Sequence, residues 1–324
     1  MRILLTGATG FAGSHLAEAL LSRPGVRLWG LSRRGAWPAD LRHLAGRVEL
    51  RGVDLCDRAA VEAVLREVQP EQIFHLAGYA AVGRSFQEPD AAWAGNLSAT
   101  RSLYEAAASW GGQPRILFVG SGLVYGDSDD PETPRHEGLL LQPNNPYAAS
   151  KSAADLVSYQ FSRDPGLHVV IARPFNHIGP RQSPDFAIAS FARQVVAIER
   201  GEKPPVLETG NLSPRRDLTD VRDTVVAYDL LIQHGRSGEA YNVGSGQVYS
   251  MHTVLDRLLA LADLTVELRQ KAALLRSTDT PVVRVDASKL RRETGWSPRY
   301  TLDQTLLDTL NFWREQSADD KVTR

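Results

Sequence analysis

Gly7-Ala8-Thr9-Gly10-Phe11-Ala12-Gly13 decides how the chain is read. It follows a short apolar run, Arg2 to Thr6, and precedes a segment whose Leu16, Leu20 and Leu21 fall on one side of a helix. The order is strand, glycine turn, helix. In that setting Gly-x-x-Gly-x-x-Gly lets the backbone approach a pyrophosphate, whose charge is stabilised by the free N–H groups of a helix N-terminus. An ordinary tight turn is the plainer alternative. The position directly after the first strand favours dinucleotide binding, with Gly7, Gly10, Phe11, Ala12 and Gly13 as contacts.

Working outward, Val26 to Leu31 makes the second strand, which ends Ser32-Arg33-Arg34 with no acidic residue before Asp40. A carboxylate there would hold a ribose 2′-hydroxyl, whereas two guanidinium groups suit a 2′-phosphate. NADP(H) is therefore the favoured cofactor and NAD(H) the alternative; the plain reading is that Arg33 and Arg34 face solvent. Val48 to Gly52 is a third strand, followed by Asp54 and Leu55, a segment that commonly lies along an adenine ring in folds of this kind. Ala59 to Glu67 carries a helical pattern. Gln72 to Leu76 is a buried strand running into Ala77-Gly78, where small residues permit close approach to a ligand, and His75 reads as a satisfied core histidine. Asn96 opens the next helix, with an N-cap as its plain role. Arg115 to Gly120 is a further strand, with Ser121 at its end. Strands alternating with helices indicate an α/β chain with a doubly wound parallel sheet.

At Asn144-Asn145-Pro146-Tyr147-Ala148-Ala149-Ser150-Lys151, a phenol and an ammonium stand four residues apart at a helix start. Four residues is just over one turn, so both project from one face, and Pro146 suits a first turn. A cation beside Tyr147 would draw its phenol towards neutral pH, where it could exchange a proton. An ordinary surface pair is the plain alternative. Ser121, 26 positions earlier, reaches the same crevice at the carboxyl edge of the sheet.

The formal net charge is −1 and the sequence pI about 6.7, with both signs spread along 324 residues. That argues against nucleic-acid or membrane-surface partners. Cys56 is the only cysteine, so no disulfide or cysteine metal cluster is expected and a reducing compartment is implied. No apolar run reaches membrane-spanning length, and the first apolar segment lacks the features of a signal peptide, so a cytoplasmic location is expected. No metal site is read. Beyond about residue 172 the texture changes. The strand Val169 to Ala172 runs into a Pro- and Gly-rich stretch, a helix follows from about Phe186 to Arg200, Ala240 to Val243 is a last apolar strand, and Val282 to Val285 is a strand in the tail. No repeat or flexible tether separates the lobes, which should interleave.

Taken together, the glycine pattern at residue 7, Ser121, Tyr147-x-x-x-Lys151, Arg-Pro-Phe-Asn at 173–176, Arg-Asp at 216–217 and Gly-Trp-x-Pro at 295–298 resemble an extended short-chain dehydrogenase/reductase acting on a nucleotide sugar. The likeness runs from residue 2 to about Trp313. It implies a Rossmann-type NAD(P)-binding domain at 1–172 and 217–245 and a smaller nucleotide-sugar-binding lobe at 173–216 and 246–324. It further implies that Ser121 orients the sugar, Tyr147 exchanges the proton and Lys151 holds the nicotinamide ribose. Leu76, Ala77, Gly78, Asn96 and Pro174 would line the cofactor. Ser85, Asn176, Arg193, Arg216 and Arg276 would hold the substrate, and a homodimer through the helices near Asn96 and Tyr147 is implied as well.

Arg-Pro-Phe-Asn-His-Ile-Gly-Pro at 173–180 and Arg-Asp-Leu-Thr-Asp-Val-Arg-Asp at 216–223 are most similar to the branch of GDP-mannose 4,6-dehydratases and GDP-4-keto-6-deoxy-D-mannose reductases. A GDP-linked substrate is implied by that likeness alone. A dehydratase needs an acid/base carboxylate beside its serine or threonine. Gly122 and Leu123 stand there and transfer no proton. The expectation is therefore reduction of a 4-keto sugar, with a nucleotide-sugar 4-epimerase as alternative and a non-catalytic cofactor sensor as the contrasting class.

Overall fold

The computed structural model describes residues 1–127, 130, 132–274 and 280–319. Apolar residues at successive positions explain why each central strand is covered on both faces. In β1 (Arg2–Thr6), Ile3 and Leu5 point into one core and Leu4 into another. The glycine turn leads to α1 (Phe11–Leu21), then β2 (Arg27–Ser32), β3 (Val48–Gly52), α2 (Arg58–Val68) and β4 (Gln72–His75). A helix in two parts, α3 (Pro89–Trp93) and α4 (Ala99–Trp110), is joined by a π turn over Ala94–Ser98. β5 (Arg115–Val119), α5 (Pro146–Arg163) and β6 (His168–Pro174) follow.

After β6 come β7 (Asn176–Ile178), α6 (Ala187–Glu199), β8 (Val206–Thr209), β9 (Arg215–Asp220), α7 (Val221–His234), β10 (Ala240–Val243), β11 (Val248–Ser250) and α8 (Met251–Leu261). The described chain closes with β12 (Glu267–Gln270), β13 (Val282–Val283), α9 (Ser288–Thr294) and α10 (Leu302–Asp319). Seven parallel strands form one sheet in the order β10-β6-β5-β4-β1-β2-β3. Order reverses between β1 and β4, which opens a crevice at their carboxyl ends. Leu16 and Leu20 of α1 and Val225, Tyr228 and Leu231 of α7 cover one face, and Val61 and Leu65 of α2 with Leu103 and Tyr104 of α4 cover the other. Each fully buried aliphatic side chain stabilises by about 1.5–3 kcal/mol.

A smaller sheet is built on β9, which pairs with β7 and β13 in parallel and with β11 antiparallel. Ile178 and Leu218 pack with Phe191, Leu255 and Leu306 from α6, α8 and α10. The α/β architecture is thus the expected one: a Rossmann-type sheet with an interleaved smaller lobe. Its junctions differ in detail. The last strand of the first run extends through Pro174 and resumes at β7, so a boundary at 172 falls inside β6, and one between 216 and 217 falls inside β9. Proline tolerates the end of a strand, which is why the pattern of Pro and Gly obscured this continuation. Trp296 Nε1 donates to the Asp223 carbonyl, and the Asp223 carboxylate accepts from the N–H groups of Arg299 and Tyr300, so the Gly-Trp-x-Pro segment is fastened to α7.

Candidate active site

The glycine turn is a cradle that larger residues could not form. Gly7 has φ +72°, and a Cβ there would lie 2.8 Å from the Ala77 nitrogen; on Gly13 it would lie 2.0 Å from the Gly7 carbonyl oxygen. Gly10 caps α1 without a side-chain hydrogen bond, so no side chain of the cap takes up the first-turn N–H groups, which include those of Phe11 and Ala12. This shape and polarity suit a diphosphate. At the end of β2, Gly35 (φ +62°) packs its backbone against Gly52, where a Cβ would meet the Gly52 nitrogen at 2.7 Å, and its N–H donates to Ser32 Oγ at 3.0 Å. The tight loop presents Arg33 and Arg34 exposed, and neither makes an ion pair or hydrogen bond among the described residues. Asp54 is exposed and accepts from the Cys56 N–H, while Leu55 is buried beside it. Leu76 and Ala77 are half-buried, Gly78 is exposed and Pro174 is buried at the end of β6.

Helix α5 begins as its sequence implies: the Asn145 side chain accepts from the Ala148 N–H at 2.9 Å, and Pro146 occupies the first turn. Tyr147 and Lys151 share one face of it. Burial raises the pKa of the Tyr147 phenol, and the Ser121 hydroxyl acts in the opposite direction and more weakly. Lys151 is 5% exposed, and its Nζ donates to the Val119 carbonyl at 2.9 Å. Burial lowers its pKa to about 8. Burial thus holds the phenol above its ordinary value instead of drawing it towards neutral pH, the direction expected from Lys151. One turn on, Asp155 makes a two-fold ion pair with Arg173 of β6 at 2.8 Å for both bonds, and Arg173 also donates to the Tyr125 hydroxyl at 2.9 Å. This buried knot fixes α5 against the sheet.

Asn96 does not open a helix. It lies in the middle of the π turn, fully buried, with Oδ1 accepting from the Tyr79 N–H and Nδ2 donating to Ser150 Oγ, both at 2.9 Å. An N-cap would need extended backbone and its own first-turn partner; here the helix runs straight through. Gly78 packs on it, since a Cβ there would lie 2.6 Å from Asn96 Oδ1 and 3.3 Å from Lys151 Nζ. Ser85 is fully buried, its hydroxyl donating to the Val82 carbonyl and accepting from the Tyr147 N–H at 3.3 Å, so it supports the start of α5. Asn176 is exposed at the start of β7, Arg193 is exposed on α6, and Arg216 donates to the carbonyls of Arg215 and Thr280. Arg276 lies outside the described residues.

Two features were missed. The His177 ring stacks on Phe11 at 5.7 Å with planes 7° apart, bringing β7 against the glycine turn. Beside it, Arg181, at φ +73°, pairs with Glu18 and contacts His15, both on α1. His15 itself is driven down to about 4, chiefly by burial, and stays neutral. Among the described residues no group of His, Cys, Asp or Glu could hold a metal ion, and no helix is long and apolar enough to cross a membrane.

A glycine cradle before α1, a serine at the end of β5 and a tyrosine with a lysine one turn further on define an NAD(P)-dependent oxidoreductase of the extended short-chain dehydrogenase/reductase type, working on nucleotide sugars. The chain belongs to the GDP-mannose 4,6 dehydratase family, whose model matches residues 4–309. It is 34% identical over 319 residues to the GDP-6-deoxy-D-mannose reductase of Pseudomonas aeruginosa, covering 98% of this chain and 99% of that protein. It is 30% identical over 328 residues to a dTDP-glucose 4,6-dehydratase of Streptomyces niveus, covering 98% and 94%. Among solved structures, RMD from Pseudomonas aeruginosa complexed with NADPH aligns with a TM-score of 0.86 at 33% identity, covering 97% of this chain and 99% of that one. The UDP-glucose 4-epimerase of Thermotoga maritima with UDP-glucose aligns at 0.89 and 25% identity, covering 98% and 100%.

Proposed function

We propose that the protein reduces the 4-keto group of a GDP-4-keto-6-deoxyhexose with NADPH, giving a GDP-6-deoxyhexose such as GDP-D-rhamnose or its 4-epimer. The observation that carries the reading is the turn after β5. A Cβ on Gly122 would lie 2.7 Å from the Phe175 ring, so no carboxylate side chain fits there, and Leu123 carries none. The nearest described carboxylate along this turn, Asp127, is held by Thr280 at 2.6 Å and Asn144 at 2.8 Å. Ser121 and Tyr147 are then the proton-handling pair, which suits reduction and not removal of water. The likeness to a GDP-6-deoxy-D-mannose reductase and the free Arg33 and Arg34 support the same substrate class and NADP(H).

A bound reduced nicotinamide supplies the hydride that reaches carbon 4. Tyr147 gives its phenolic proton to the carbonyl oxygen, so that ketone, hydride and proton become the alcohol, and Ser121 steadies that oxygen by its hydrogen bond. Lys151 holds the ribose of the nicotinamide half, and Gly7, Gly10, Phe11, Ala12 and Gly13 take the diphosphate. Asn176, Arg193, Arg216 and Arg276 are assigned to the sugar nucleotide, the arginines suiting its diphosphate. An epimerase remains the second reading, because the same turn and pair serve it and the Thermotoga epimerase shares the fold closely. Leu140 (78% exposed), Leu156 (61%) and Tyr159 (46%) leave an apolar strip on and beside α5 that supports a homodimer through this helix.

Tyr147→Phe tests the chemistry. It should lower turnover of GDP-4-keto-6-deoxy-D-mannose by about 10²–10⁴-fold while NADPH still binds; undiminished turnover would remove Tyr147 from the mechanism.

A further inference from the structure

His75 sits on β4 with no access to the cleft, yet both its ring nitrogens are used. Thr6 Oγ1 lies 2.8 Å from Nδ1, and Thr100 Oγ1 lies 2.9 Å from Nε2. The Thr100 hydroxyl donates to the Asn96 carbonyl at 2.5 Å, so towards His75 it accepts, and Nε2 must carry the proton. Nδ1 is then an acceptor, and the Thr6 hydroxyl donates to it while accepting the Ala77 N–H at 3.1 Å. Every donor and acceptor in this chain has a partner of the right kind only when His75 is neutral. Burial, with the Lys151 charge adding to it, lowers its pKa to about 3, consistent with that form.

The chain ends on the π turn. Such a turn displaces carbonyls from the regular helical pattern, and the Thr100 hydroxyl donates to the Asn96 carbonyl. From the same residue, Asn96 Nδ2 donates to Ser150 Oγ, which donates on to the Tyr147 carbonyl at 2.8 Å. Thr6, His75, Thr100, Asn96 and Ser150 are all essentially solvent-free. We infer that His75 is a positioning residue for the catalytic helix: through Thr100 it holds the π turn, and through Asn96 and Ser150 it fixes the backbone that carries Tyr147. The strand that opens into the glycine turn is thereby joined by side-chain hydrogen bonds to the residue that moves the proton. The inference rests on Tyr147 being the proton donor.

Thr100→Val is nearly isosteric and removes only the hydroxyl, and Thr100→Ser restores it. With GDP-4-keto-6-deoxy-D-mannose and NADPH, Thr100→Val should lower kcat by roughly tenfold or more, with KM and the NADPH Kd within about twofold. Thr100→Ser should recover most of that loss. His75→Leu should match Thr100→Val, and the double variant should be no worse than either, as expected for one shared path. Amide exchange at residues 94–100 should accelerate in Thr100→Val. Unchanged kcat in a Thr100→Val protein that only melts earlier would overturn the inference, as would losses that add in the double variant. Should His75→Leu not fold, the Thr100 pair alone decides. Full turnover in Tyr147→Phe would instead sink the reading beneath it, whatever the Thr100 variants do.

Discussion

Replacing Lys151 by Met should make the protein inactive and, at neutral pH, no less stable. Lys151 is 5% exposed, and burial lowers its pKa to about 8 from an ordinary 10.5. At about 1.4 kcal/mol per pH unit, that interval corresponds to about 3 kcal/mol of penalty for keeping the charge buried. The sign follows from proton counting. Between about 8 and 10.5 the unfolded chain holds the lysine proton and the folded chain has lost it, so stability rises with pH through this window; below about 8 both states are charged and the penalty is fully present. Methionine removes the penalty but also leaves the Val119 carbonyl without its donor, a loss of about 1–3 kcal/mol. The two nearly offset at pH 7, whereas at pH 10 the wild type has shed most of its penalty. Urea unfolding of both proteins at pH 7 and pH 10 isolates the effect. The stability of wild type relative to Lys151→Met should improve by about 2 kcal/mol across that range. A difference that stays constant would show that Lys151 is not held in the desolvated state described here.

Removing both guanidinium groups beyond β2, in Arg33→Ala/Arg34→Ala, should weaken NADPH binding by roughly a hundredfold, the worth of two charge-assisted hydrogen bonds, and leave NADH within about twofold. Fluorescence titration with both coenzymes checks this, and equal losses would refute a 2′-phosphate contact. Arg173→Met leaves Asp155 buried without its partner and should destabilise by about 3–5 kcal/mol, read as a lower midpoint in thermal unfolding. Arg173→Met/Asp155→Leu should recover part of it, because no charge then remains to be compensated.

How much was legible follows from the range of each interaction. Gly7 to Gly13 and Tyr147 with Lys151 are local patterns, set by turn geometry and helical spacing, and they stand where the sequence puts them. The strands of the large sheet are apolar runs bounded by turns, and they too were readable within a residue or two. Asn96 was not: a polar residue ahead of a helical pattern reads as a cap, and nothing local marks a π turn whose partners, Tyr79, Ser150 and Thr100, come partly from other elements. β7 is three residues long, too short for a period. The stacking of His177 on Phe11 and the pairing of Arg181 with Glu18 join positions more than 160 apart, and only the fold brings them together. Ser85 shows the reverse limit, since sequence likeness put its hydroxyl towards substrate and the structure gives it to Val82 and Tyr147.

The most direct test of the central claim is to incubate the protein with GDP-4-keto-6-deoxy-D-mannose and NADPH carrying deuterium on the transferred position of the nicotinamide, and to analyse nucleotide and sugar together. One coenzyme oxidised per product, with deuterium on carbon 4 of a GDP-6-deoxyhexose, is the predicted result. No coenzyme consumption, with NAD retained by the protein and unlabelled 4-epimers interconverting when UDP- or GDP-sugars are supplied, would contradict the reductase and establish an epimerase.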